Sequence, residues 1–141
     1  MKIPYQKILD WCIVKYGKSK YYDDYPDLEI SKSKSSDYTG EFESDECLIT
    51  IYYDIIKLED NIYESAIKTM IHEYVHYLQE SELTGAHNSK TKSSIWPFNS
   101  GIVILDYYDN PYEKEAEDVA ERDWRECYID LFGEKDDSIH R

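Results

Sequence analysis

Cysteine is scarce in this chain, and the three present, Cys12, Cys47 and Cys127, lie far apart. They are odd in number and contain no CxxC pair, so neither a disulfide framework nor a cysteine zinc site is expected. They read as small core residues in a reducing compartment. Basic residues are few as well: 16 Lys and Arg stand against 30 Asp and Glu, giving a formal net charge of -14 and a sequence pI of about 4.6. A protein that tracks nucleic acid must neutralise phosphates with Lys and Arg, so DNA and RNA are not expected partners. No run is apolar for the length a bilayer demands, and residues 1–7 lack the uninterrupted apolar stretch of a signal peptide. A soluble, cytoplasmic protein with no membrane partner is the expectation. There is no internal repeat, and the 141 residues suit one domain, 1–141, with a core of its own.

What the chain does contain is His72-Glu73-Tyr74-Val75-His76, an HExxH sequence. Two imidazoles four residues apart on an α-helix stand one turn apart on one face, where both can reach a single metal ion. Glu73 can then serve as the general base that takes a proton from a metal-activated water. With only 4 His in the chain, shuffling yields this pentad in roughly one sequence in a hundred, so coincidence is a poor explanation. The context agrees. Ile62, Ala66, Ile67, Met70, Ile71, Tyr74, Val75 and Leu78 recur with helical spacing, which predicts a buried helix with His72 and His76 at the edge of its apolar stripe. Asp60 or Asn61 can cap its start and Thr84-Gly85 can end it.

The rest of the chain supplies a scaffold. Ile3 to Tyr16 reads as a first helix stopped by Gly17, and Leu28 and Ile30 alternate as in a short strand. Tyr38 to Glu43 and Glu46 to Tyr53 predict a hairpin turning at Ser44-Asp45. From Ala86 to Asn110 little is periodic apart from Gly101 to Tyr108, so this stretch is expected to rim a substrate cleft. Asn110-Pro111 then opens a final helix that runs to Phe132 and stops at Gly133.

A catalytic zinc site normally has three protein ligands and one open position, so the two histidines need a partner. A metzincin would place Gly and His after the pentad where this chain has Gln79 and Glu82, which excludes that class. The final helix offers Glu113, Glu115 and Glu117. At about 100° per residue, Glu113, Ala116, Glu117, Ala120, Trp124, Cys127 and Leu131 share one face, whereas Glu115 points away from it. Glu113 is therefore the preferred third ligand and Glu115 the reserve. Glu117 is the candidate to accept the second ring N–H of a ligand histidine and so fix its tautomer. His87 stays open as a substitute ligand. Tyr107 and Tyr108 could donate a hydroxyl to an oxyanion, and Trp96 and Phe98 could anchor the loop.

With Glu113-Lys114-Glu115-Ala116-Glu117-Asp118-Val119-Ala120 following the HExxH helix, the chain resembles the gluzincin metallopeptidases, particularly the small soluble ones and the ImmA/IrrE-like group, many of them carried by bacteria and phages. The resemblance covers about 75 residues, and the departure is Glu117 where Asp or Asn is usual. It implies an α+β, zincin-like domain in which a small twisted sheet or hairpin packs on the HExxH helix and a C-terminal glutamate helix. It also implies one Zn2+ per chain on His72, His76 and Glu113, with a peptide or protein as substrate. The expected function is zinc-dependent cleavage of peptide bonds with Glu73 as general base. The alternative is a catalytically inactive zinc-binding regulatory or protein-interaction module of the same fold, and a third reading is a structural domain whose motif binds nothing.

Overall fold

The structure is a computed structural model that describes residues 3–33, 38–79, 94–98, 101–105 and 111–133. Helix α1 spans Tyr5–Tyr16 and is followed by strands β1 (Asp27–Ser31), β2 (Gly40–Glu43) and β3 (Leu48–Tyr52). A short helix α2 (Tyr53–Ile56) leads to the motif helix α3 (Ile62–Leu78), and a hairpin of β4 (Ser94–Phe98) and β5 (Gly101–Leu105) precedes the last helix α4 (Pro111–Phe132). The chain is thus α+β, as expected. No helix among the described residues is long and apolar enough to cross a membrane.

Local chemistry explains most boundaries. Gly17, at φ 82, ends α1, and its N–H bonds the carbonyl of Ile13. The β2–β3 hairpin forms where expected, but its second strand stops at Tyr52 because Tyr53 begins α2. Cys47 turns this hairpin at φ 50 and is half-buried, whereas Cys12 and Cys127 are core residues. Asn61 caps α3, its side chain accepting the N–H of Glu64 at 3.0 Å. The helix ends at Leu78, short of Thr84-Gly85, because Gln79 turns to extended φ -83 and ψ 156. Thr84-Gly85 and the expected cap Asn110 lie outside the described residues. Gly133, at φ 84, ends α4 as anticipated.

Strand β3 is the centre of the three-stranded sheet, parallel to β1 and antiparallel to β2. The sheet, α1 and α4 all pack on α3, with the α3–α4 interface the most extensive. Burial of α3 extends beyond the apolar stripe to Thr69, Glu73, His76 and Tyr77, while Ile62 is exposed at its start. Ala116 and Ala120 are buried on α4, small enough to bring the two helices close. The phenols of Tyr74 and Tyr77 donate to the carbonyls of Gly17 and Asp24, pinning the segment between α1 and β1 to the motif helix. Tyr16 donates to buried Asp123 at 2.7 Å, which ties the end of α1 to α4.

Strand β2 crosses α3 at Gly40. A Cβ there would lie 2.7 Å from Cγ2 of Thr69 and 2.9 Å from the carbonyl oxygen of Thr50. The adjoining hydroxyls of Thr39 and Thr69 are hydrogen-bonded at 2.7 Å. Because the Thr50 oxygen is backbone, the clash cannot be relieved by a rotamer change. Gly40→Ala should cost about 1–3 kcal/mol, read as a lower urea midpoint with an unchanged slope; an unaltered midpoint would show that β2 does not lie this close to α3.

Candidate metal centre

The last turns of α3 carry His72 and His76 on one face, and the first turn of α4 delivers Glu113 to them. His72 Nε2 lies 2.9 Å and His76 Nε2 3.2 Å from the same oxygen, Oε1 of Glu113. The two imidazole planes are nearly perpendicular, at 79°, with centroids 4.8 Å apart. One nitrogen or oxygen from each of the three residues falls within 4.8 Å of the others, so the group could hold a metal ion. Two tetrahedral ligands of zinc, each at 2.0–2.1 Å, are about 3.3 Å apart, and the two nitrogen–oxygen separations are close to that value. The donor set of two imidazoles and a carboxylate fits such an ion.

Burial is graded across the site. The His76 side chain is 4% exposed, against 15% for His72 and 17% for Glu113, so the approach from solvent is on the side of the latter two. Glu73 is buried beside them. Burial raises its pKa; the nearby His72 and His76 oppose the rise, while the carboxylates of Glu113 and Glu41 add to it. Glu41 belongs to β2 and accepts a hydrogen bond from Tyr52 at 2.5 Å, so the sheet contributes a second acidic group near the motif helix.

The second ring nitrogen of His76 has a partner, but it is not Glu117, which is exposed on α4. That place is taken by Gln79, whose Oε1 lies 2.8 Å from His76 Nδ1. Gln79 also donates from Nε2 to the carbonyl of Tyr112 at 3.0 Å and to Oε1 of Glu115 at 2.8 Å. The reserve ligand Glu115 is thus held away from the two histidines by this amide. Gln79 sits three residues after His76, on the same helical face, and that spacing is the signal that could have revealed it. Glu41 has no such local signal. His87, Tyr107 and Tyr108 lie outside the described residues, and Trp96 and Phe98 contribute only their backbone to the description of β4.

The ionisation of the group predicts opposite pH responses with and without metal. Burial alone would lower the pKa of His76, but its hydrogen bond to Glu113 and the charges of Glu73 and Glu113 hold it above the ordinary 6.5. Burial would raise Glu113, but hydrogen bonds to His72 and His76 and their charges hold it well below the ordinary 4.5. A raised histidine stabilises the fold below its unfolded pKa and loses that contribution as pH rises through the folded value. A lowered carboxylate stabilises above its unfolded pKa and loses that contribution as pH falls through the folded value. In the absence of metal, the pair should therefore favour the fold most between 4.5 and 6.5, and the melting temperature should decline as pH rises through the elevated His76 value. Metal ligation needs neutral imidazole, so with saturating zinc the melting temperature should rise over that same upper interval. Thermal unfolding against pH, in chelator and in zinc, checks this; parallel profiles would remove His76 from the ligand set.

No protein-family model matches the chain, and no curated protein and no solved structure matches it.

Proposed function

We propose that this protein is a zinc-dependent hydrolase that cleaves peptide bonds, with a gluzincin-type ligand set on a zincin-like fold. The observation that carries the reading is the convergence of His72, His76 and Glu113 from two helices, with Glu73 buried alongside. Zinc held by these three residues would polarise a scissile carbonyl and acidify a water near neutral pH. On binding an ion, His72 and His76 would give up the Nε2 protons now directed at Glu113 and each offer a lone pair, and Glu113 would supply the negative charge that a cation between them requires. Glu73 takes the proton of the attacking water and returns it to the leaving amine. Its burial makes the carboxylate more basic than an exposed one, which favours the first transfer, and keeps it within a poorly hydrated wall of the site. His76, sunk deepest, fixes the floor, and the more open His72 and Glu113 leave one side for a peptide to approach.

The test is metal content together with cleavage of a broad peptide library. One zinc per chain is expected, with hydrolysis that stops in chelator and returns with added zinc. Zinc without cleavage of any library member would favour a non-catalytic binding module, and absence of zinc binding would leave the pentad as a structural coincidence.

A further inference from the structure

We infer that Gln79 is a positioning residue of this site: its carboxamide fixes the tautomer of His76 and clamps the first turn of α4 to the end of α3, so that Glu113 meets both histidines. The inference rests on the metal-centre reading above and extends it to a residue that binds no metal itself.

The hydrogen-bond partners determine how the amide is oriented. The carbonyl of Tyr112 can only accept and Glu115 Oε1 is bonded by the same nitrogen, so the NH2 of Gln79 faces both, at 3.0 and 2.8 Å. Its oxygen must then face His76 Nδ1, at 2.8 Å. A carboxamide oxygen only accepts, so His76 carries a proton on Nδ1; Nε2, 3.2 Å from the Glu113 carboxylate, donates to it in the absence of metal and is the nitrogen left to ligate an ion. A ring without a proton on Nδ1 would set its lone pair against that of Gln79 Oε1 at 2.8 Å. Tyr112 and Glu115 lie on either side of Glu113 in the first turn of α4, so one buried side chain acts on ligands from both helices. The backbone holds Gln79 in place, its N–H bonded to the carbonyls of Val75 and His76. Capping α3 would need only that backbone bond; the three side-chain bonds all converge on the ligand-bearing turns.

The experiment uses the full chain and the variants Gln79→Ala, Gln79→Glu, and Gln79→Glu combined with Glu115→Gln. Zinc affinity is measured by competition with a chromogenic chelator, thermal unfolding reports folding, and imidazole nitrogen chemical shifts report the His76 tautomer in metal-free protein at alkaline pH. Gln79→Ala should lower zinc affinity by about 10- to 100-fold and leave His76 as a mixture of tautomers. Gln79→Glu should keep the Nδ1–H tautomer, because a carboxylate still accepts from it, yet lower affinity by about tenfold or more through repulsion of Glu115. Adding Glu115→Gln restores a donor to that carboxylate and should recover most of the loss. A folded Gln79→Ala protein with affinity within about twofold of wild type and a single Nδ1–H tautomer overturns the inference. Should Gln79→Ala not fold, the near-isosteric variants decide: full affinity in Gln79→Glu, or no recovery in the double variant, overturns it equally. If the wild-type chain binds no zinc, the metal-centre reading falls, and the tautomer measurement, which needs no metal, still shows whether Gln79 orients His76.

Discussion

Glu73→Gln should retain one zinc per chain and the wild-type melting temperature while losing peptide hydrolysis by about 10²- to 10⁴-fold or more. Glutamine has nearly the same shape as glutamate but cannot accept a proton, so the change removes the acid–base step and little else. Glu73 is not one of the three side chains that converge as the candidate metal site, which is why metal content and activity should separate. The substitution also replaces a buried carboxylate whose charged form is disfavoured by its surroundings, so no loss of stability is expected. A Glu73→Gln protein that cleaves a wild-type substrate at a comparable rate would show that another group moves the proton.

Glu113→Ala should have the opposite profile, losing the metal first. Structural zinc sites release about 10–16 kcal/mol on binding, and one ligand among four then accounts for roughly 3 kcal/mol, a hundredfold or more in affinity. The loss should exceed that in Glu115→Ala, which removes only a partner of Gln79. Isothermal titration of both variants with zinc gives the ranking. Unimpaired binding in Glu113→Ala beside a large loss in Glu115→Ala would transfer the ligand role to Glu115, and equal small losses would remove α4 from the site.

The motif helix was legible in the sequence because its information is local: a 3.6-residue period, an asparagine cap and two histidines one turn apart. The same arithmetic singled out Glu113 over Glu115. It failed for Glu117, one turn further along α4, because sharing a helical face does not mean sharing a neighbour. Ala116, Ala120 and Cys127 are buried on that face, but the adjoining buried polar residue is Asp123, engaged by Tyr16 from α1. The hairpin before the motif was readable from alternation and a turn. The parallel addition of β1 to its far edge was not, since pairing Asp27–Ser31 with Leu48–Tyr52 depends on contacts distant in sequence. Gln79 lay in view on the histidine face. Its partners were not readable, because Tyr112 and Glu115 come from the other end of a long intervening stretch.

The bond from Gln79 to the carbonyl of Tyr112 joins positions separated by 33 in sequence. That single bond holds the two ends of the intervening polypeptide together at the site. For a flexible insertion, closure entropy grows only with the logarithm of length, so each doubling costs about 0.6 kcal/mol. A flexible insertion between these two anchor points should therefore leave Glu113 beside the histidines.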